Sequence, residues 1–450
     1  MITILKSALI ITMNQERKIW NQASLVIENE RIAAIDTDEV IEKSFRADKV
    51  IDCQGKVLLP GFVNLHTHQT LSIIRGVAED MGTAPAYTKS VPQGYQLSEE
   101  ESNTMALLGA AEALKFGSTY ILDMYTNCSV NAKAFATLGM RANVCEMVHN
   151  MDFSTLYKRE YQVDEKLGEE LLNRNIALLE HWNNHPLIDT CVGLHAPDTC
   201  STSFIRKILD VKEKYHVKIA THLAQSIEEV EQIKQISNGL SSVEFYKENG
   251  VLSKDLIAAH CIYVNEQDIE LLKNNQVNIA HIPEGNAKGG MAAPLKAFLD
   301  KNINVTLGTD NGSADMIETM RMGLCISRIL TEGFSVMPME MLEMATINGA
   351  RAIGRDKDLG SLEKGKLADV LILDFRKPHL VPCLNPVGTI LHTGLGSDIQ
   401  MVFVNGEMVV QNGKLLKVNE EELLKEAQQI AERRWLAVNH DLNSYYFLKL

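Results

Sequence analysis

The chain has 450 residues, 45% of them hydrophobic and 23% charged, an ordinary globular composition at a length that can bury a sizeable core. Its formal net charge is −14 with no block of basic residues, which argues against nucleic acid or an anionic membrane as the main partner, since both need Lys/Arg-rich surfaces. No apolar run approaches the roughly 20 residues that cross a bilayer.

In chain order, the first residues, MITILKSALIITMNQERK, lack the basic start, long apolar stretch and small-residue cleavage site of a secretory signal, so the cytoplasm is the expected location. ITILKSALIIT, ASLVIENERIAAI and KVIDCQGKVLLPG then read as short strands separated by turns. From about residue 57 the texture changes. Helix-like runs such as SEEESNTMALLGAAEALKFG and SIEEVEQIKQIS open on Ser with Glu three residues later, the signature of a capping box. Between such runs lie short apolar strands, IDTCVGLH, VKIATH, LIAAH, VNIAH and INVTLGTD. Strand–helix alternation of this kind predicts a parallel α/β fold. Strand texture returns in LADVLILD and IQMVFVNGEMVVQNGKLL, where Asn405-Gly406 and Asn412-Gly413 signal tight turns. Two β-rich flanks imply one small sheet domain assembled from both chain ends. NEEELLKEAQQIAERRWL, over 419–436, reads as an amphipathic helix packed on the body of the protein. The eight cysteines form no CxxC pair, so neither a disulfide framework nor a thiolate zinc site is expected.

Several strands end in a metal-ligand side chain: His66 and His68 after LLPGFVNL, then His222, His260, His281 and Asp310. Residues two apart on a strand face the same side, so His66 and His68 can grip one ion together. In a barrel the C-terminal strand ends converge, which lets ligands distant in sequence meet. Imidazole and carboxylate suit zinc or iron, and catalytic sites keep one position open for water. Each histidine alone is weak evidence; HxH followed by His, His and Asp closing later strands is specific.

The segments PGFVNLHTHQT, RGVAED, GLHAPDTCS, THLAQS, AAHCIY, HIPEGNAKGG, LGTDNGSADM, ATINGARAIG and GSLEKGKLADVLILD resemble the cytosine/adenosine deaminase-like and chlorohydrolase branch of the amidohydrolase superfamily, which includes methylthioadenosine/S-adenosylhomocysteine deaminases. The resemblance runs over residues 59–374. It implies a (β/α)8 TIM barrel over 57–362, a composite β-sandwich from 1–56 and 363–418, and a C-terminal helix and tail over 419–450. It implies that His66, His68, His222 and Asp310 hold one divalent metal, zinc first and iron second. His260, with Asp310, would deprotonate the metal's water, whose pKa such an ion lowers from about 15.7 to about 7. His195 would contact the ring of a small heterocyclic substrate. Binuclear relatives carry a bridging lysine on the fourth strand; IDTCVGLHA has none, which favours the single-metal plan. Homo-oligomers among relatives are an analogy only.

Two departures stand out. The branch carries His-x-x-Glu on the fifth strand, its Glu shuttling a proton; here the motif is His222-Leu223-Ala224-Gln225. A glutamine amide can hydrogen-bond a substrate but cannot relay a proton near neutrality. Either another acid has taken over, with Glu284 and Asp198 as candidates, or the leaving group is one such as halide that needs less protonation, or the protein binds without much catalysis. The second departure is MGTAPAYTKSVPQGYQ, which follows RGVAED without the acid and tryptophan by which nucleoside deaminases of the branch contact ribose; it speaks against S-adenosylhomocysteine or methylthioadenosine as substrate and leaves Tyr87 and Tyr95 as candidates for ring stacking. Deamination of a purine-, pterin- or triazine-like ring is the expected reaction. His149, His181, His185, His216, His379, His392 and His440 carry no ligand spacing.

Overall fold

The first strand of the chain, Ile2–Ile11, is buried at six of its ten positions and pairs with neighbours on both of its edges in one sheet. The computed structural model describes residues 1–438 apart from 82–83, 90 and 183; His440 and the rest of the tail lie outside the described residues. Nine strands form this sheet, in the order Lys414–Leu415, Glu407–Gln411, Ile399–Val404, Val370–Asp374, Lys56–Pro60, Ile2–Ile11, Ile19–Glu28, Arg31–Asp36, with Lys49–Asp52 also paired to Ile2–Ile11. The join between the two chain ends is the antiparallel register from Val370↔Pro60 to Asp374↔Lys56. Leu5, Ile10, Leu25 and Leu58 from one end share a core with Val370, Ile372 and Phe403 from the other. Both Asn-Gly hairpins form, with positive φ at all four residues.

A second, parallel sheet has eight strand positions. They are Phe62–Thr67, Ser118–Tyr125, Arg141–Glu146, a split fourth position (Ile188–Thr190 and Val192–Leu194), Ile219–Leu223, Leu256–His260, Asn278–His281 and Val305–Leu307. The eighth pairs back to the first through Leu307↔Asn64, so the sheet closes into a TIM barrel with its helices outside. The fourth position is interrupted at Cys191: one half pairs with the third strand and the other with the fifth. Gly193 permits the close approach there, since a Cβ would meet the Glu146 carbonyl oxygen at 2.0 Å. Strands such as Leu256–His260 are buried throughout, as parallel strands covered on both faces must be.

The capping box at Ser98 forms fully: its hydroxyl accepts the Glu101 amide and Glu101 accepts the Ser98 amide. The one at Ser226 forms only by half. Its hydroxyl accepts the Glu229 amide, but the Glu229 carboxylate turns elsewhere. The last helix, Glu420–Val438, buries Leu423, Ala427, Ile430 and Trp435, and the Trp435 indole donates to the Ile73 carbonyl at 2.8 Å. That contact braces the short helical turn Gln69–Ile74, which leaves the first barrel strand directly after His68.

Candidate functional site

The C-terminal strand ends bring five of the expected side chains together. His66 has its ring centroid 4.7 Å from that of His68, 4.8 Å from that of His222 and 5.1 Å from that of His260. Asp310 lies three residues beyond the eighth strand and faces them: Oδ1 is 3.4 Å from His68 Nε2 and 3.8 Å from His66 Nε2, while Oδ2 is 3.8 Å from His260 Nε2. Gly308 lets the eighth strand come this close, because a Cβ would stand 2.6 Å from that of His66.

The hydrogen bonds around these rings determine what they can bind. His68 Nδ1 lies 2.5 Å from the Met124 carbonyl, and His222 Nδ1 lies 2.7 Å from the His195 carbonyl. A carbonyl only accepts, so each Nδ1 carries the proton and each Nε2 is a bare lone pair. Those two Nε2 atoms face each other at 3.2 Å. His66 Nε2 and His260 Nε2 are also buried, with no partner among the described residues. Buried lone pairs crowded together without donors cost free energy unless a cation lies among them. Burial pushes the imidazolium forms of His66 and His222 well below their ordinary range and that of His260 down as well, which leaves the neutral rings that metals bind. These donor atoms are within reach of a single ion in two overlapping sets, His66–His222–His260 and His66–His68–Asp310. The residues fit a divalent metal.

Backbone strain is concentrated here. Ala224, His260, Cys261 and Asp310 all have positive φ (49°, 73°, 49° and 59°), a conformation that costs such residues on the order of 1–3 kcal/mol each. Cross-strand bonds hold the strained turns. The Asp310 amide donates to the His66 carbonyl, the Cys261 amide to the Leu223 carbonyl, and the Ile262 and Tyr263 amides to the Ala224 carbonyl. The buried Glu229 carboxylate accepts the Ala224 amide at 2.8 Å and the Gln225 amide at 2.9 Å. Glu229 therefore fixes the turn that carries Gln225. Burial, with Asp198 nearby adding to it, pushes its carboxyl up to about 8.

Above the cluster opens a cavity of about 350 Å³, within the roughly 300–1,000 Å³ of small-molecule sites. His68, His195, His222, His260, Gln225 and Asp310 line it, under walls that include Tyr87, Tyr125, Phe153, Tyr263 and Met291. His195 Nδ1 is 2.7 Å from the Thr199 hydroxyl, and its ring meets His222 edge-on at 4.9 Å. Glu284 does not line the cavity: one turn of helix (Pro283–Lys288) brings Lys288 Nζ to 2.8 Å from its carboxylate, which also accepts from Thr319. That ion pair occupies its carboxylate, while its neighbours Gly285 and Asn286 line the cavity. His281 is buried outside the donor sets, and His149 stacks on Phe153 at 3.7 Å. Asp198 also lies outside the cavity wall, but Tyr87, which lines it, donates to Asp198 at 2.6 Å. Tyr95 is 55% exposed and is not part of the cavity lining.

Sequence reading missed Asn286, whose Oδ1 is 3.0 Å from His260 Nδ1 and so leaves His260 Nε2 free to act as a base. It missed Asp123 too, which accepts the Gln69 amide and holds the chain just past His68. An Asn or Asp in a βα loop has no distinctive spacing. Only the folded loop shows its target.

A closed α/β barrel with a His₄Asp cluster at its C-terminal mouth defines a metal-dependent hydrolase, and residues 57–409 match the amidohydrolase family. The chain belongs to that family. It is 32% identical over 435 residues to a 5-methylthioadenosine/S-adenosylhomocysteine deaminase of Syntrophobacter fumaroxidans, covering 95% of this chain and 97% of that one. It is 34% identical over 432 residues to a 5'-deoxyadenosine deaminase of Methanopyrus kandleri, covering 94% and 97%. Among solved structures, an adenosine deaminase from Xanthomonas campestris with bound zinc superposes with a TM-score of 0.87 at 21% identity, over 96% of this chain and 98% of that one. An atrazine chlorohydrolase from Arthrobacter aurescens, also solved with zinc, gives 0.86 at 20% identity, over 95% and 100%. No helix among the described residues is long and apolar enough to cross a membrane.

Proposed function

We propose that this amidohydrolase is a zinc enzyme that removes the exocyclic amine of an adenine nucleoside altered at its 5' position, or of a closely similar amino-substituted nitrogen heterocycle. The reading rests chiefly on the two bare Nε2 atoms of His68 and His222 facing each other at the cavity floor. The deaminase relatives, alignable over nearly the whole chain, support the reaction class. His66, His68, His222 and Asp310 would hold the metal, which supplies a Lewis acid that makes water nucleophilic at neutral pH. His260 Nε2, held by Asn286, takes a proton from the attacking water together with Asp310. His195 and Gln225 hydrogen-bond the ring. Water adds to the carbon bearing the amine, the C–N bond breaks, and the products are the ring carbonyl and ammonia.

One observation favours a second reading, displacement of a non-amine group. Gln225 lines the cavity at the position of the branch's proton-shuttling Glu and cannot protonate a departing amine. Both readings are tested together by measuring ammonia release from 5'-deoxyadenosine, methylthioadenosine, S-adenosylhomocysteine, adenosine and aminotriazines, and chloride release from a chloropurine nucleoside. Ammonia release abolished by a chelator and restored by zinc is the expected result. Chloride release without ammonia release establishes the second reading in its place.

A further inference from the structure

Deamination needs a proton for the departing nitrogen, and Gln225 has none to give. Among the described residues that line the cavity the carboxylates are Glu79, Glu228 and Asp310. Asp310 belongs to the metal cluster, Glu79 lies in the field of the Lys288 ammonium, and Glu228 is paired with Arg159 at 3.4 Å in the first turn of the helix Ile227–Ile236. Tyr87 offers a different route. Tyr87 lines the cavity, and its hydroxyl donates to Asp198 Oδ2 at 2.6 Å. Asp198 is 1% exposed, and its second oxygen is buried with no hydrogen-bond partner among the described residues. It sits in the turn Pro197–Thr199, whose Thr199 holds His195 at 2.7 Å. Tyr87 and Tyr161 favour the Asp198 carboxylate, but burial outweighs them and favours the protonated acid relative to a solvated carboxyl. A buried acid behind a cavity-lining tyrosine is a proton source that reaches the substrate through one side chain.

Resting on the deaminase reading, we propose that Tyr87 and Asp198 together are the general acid of this site, with Tyr87 touching the substrate and Asp198 supplying the proton behind it. With Asp198 protonated, its O–H donates to the Tyr87 oxygen and the Tyr87 O–H turns into the cavity. As the C–N bond breaks, the Tyr87 proton passes to the amine nitrogen and the Asp198 proton passes to Tyr87, leaving Asp198 as carboxylate. Asp198 is reprotonated from solvent, the proton taken by His260 from water returns to solvent, and the hydroxyl proton left on the adduct ends on the ring nitrogen beside the new carbonyl, so each turnover consumes one water and releases one ammonia.

The surroundings agree. Tyr87, Tyr161, Cys200, Glu228, Glu229 and Tyr246 face Asp198 from the elements around it; burial, with Glu228 adding to it, pushes its carboxyl up to about 6 against the hydrogen bonds of Tyr87 and Tyr161. The acid is populated below that range, so amine turnover falls as pH rises through it.

The decisive variant is Asp198→Asn, because the asparagine oxygen still accepts from Tyr87 and keeps that loop contact while losing the proton. With zinc-loaded enzyme we expect kcat for ammonia release to fall on the order of 100-fold with KM within a few-fold, as for loss of a general acid. The descending limb near pH 6 should disappear. Chloride release from a chloropurine nucleoside should be unaffected, since halide leaves unprotonated, and Gln225→Glu should restore part of the lost rate. Unchanged kcat in Asp198→Asn, beside a loss in Tyr87→Phe, would make the pair a structural tie and overturn the proposal. Infrared titration supplies a readout without turnover: a protonated-carboxyl band in the wild type near pH 6 must vanish in Asp198→Asn. If the wild type releases no ammonia from any amine, the deaminase reading fails, and persistence of that band in Asp198→Asn removes Asp198 as the acid as well.

Discussion

The third barrel strand begins at Arg141 and ends at Glu146, and its two ends are built to different standards. At the start, Arg141 is 1% exposed and each nitrogen of its guanidinium has an acceptor: Nε donates to Asp369 at 2.9 Å, Nη1 to the Pro186 carbonyl at 3.1 Å and Nη2 to Asn405 at 2.6 Å. At the opposite face of the barrel, ring nitrogens of His66 and His260 and oxygens of Glu146 and Asp198 are buried without partners among the described residues. The first arrangement fixes the barrel to the sheet domain, since Asp369 and Asn405 flank strands of that sheet. The second leaves bonding capacity unspent and holds it in place with strained turns. Barrels divide labour this way, with stability at the N-terminal face and chemistry at the C-terminal face.

Mutations should separate the two faces, and the largest effect lies at the mouth. His66→Ala removes a donor from both overlapping sets, so metal content and ammonia release should be lost together. His260→Ala should keep much of the metal and lose turnover by roughly 10²–10⁴-fold, the usual contribution of a positioned base. Metal analysis beside kcat decides between ligand and base; equal metal loss in both variants would mean the two roles are confused.

At the other face, Arg141→Ala should cost about 3–5 kcal/mol by stranding the buried Asp369 carboxylate, with kcat per folded, metal-loaded molecule unchanged. Denaturant unfolding and a rate at low temperature measure the two quantities separately. A fall in kcat without loss of stability would erase the division between the faces.

Glu229 tests whether strain at the mouth is maintained for a purpose. Glu229→Ala leaves the Ala224 and Gln225 amides unpaired, at about 1–3 kcal/mol of local penalty. The turn should relax and Gln225 should leave its place, lowering kcat on the order of 10-fold while His222 keeps its metal. Glu229→Gln retains one acceptor oxygen and should fall between wild type and alanine.

How much of this was readable in the chain depends on whether a residue acts through its strand or through its loop. His66, His68, His222 and His260 lie on strands or at their ends, where alternation and barrel convergence dictate the meeting point, and they meet. The composite sheet was readable for the same reason, since its Asn-Gly turns and alternating strands are local signals. For Glu284, a single helical turn directs the carboxylate to Lys288, and no spacing rule distinguishes that from a carboxylate facing substrate. Glu229 looked like half of a capping box and instead reaches past Ser226 to the strained turn. The Arg141–Asp369 pair spans 228 residues of sequence, a distance at which charge alone names no partner.

The smallest effect belongs at Gly413, in the hairpin between Glu407–Gln411 and Lys414–Leu415. Its φ is 71°, and a Cβ there would meet nothing within 4 Å. Gly413→Ala is therefore a test of backbone conformation alone, with an expected cost of about 1–2 kcal/mol for a left-handed alanine. Ala224 occupies the same region of φ at the mouth, with Glu229 and the sixth-strand loop holding it there. Ala224→Gly should then stabilise the fold by relieving strain of similar size, while a looser Gln225 lowers kcat. If both substitutions change stability in these opposite directions and only Ala224→Gly changes turnover, the strain at the mouth serves the site and the turn at the sheet serves only the fold. Equal silence in turnover would mean that the left-handed residue beside Gln225 is held for packing alone.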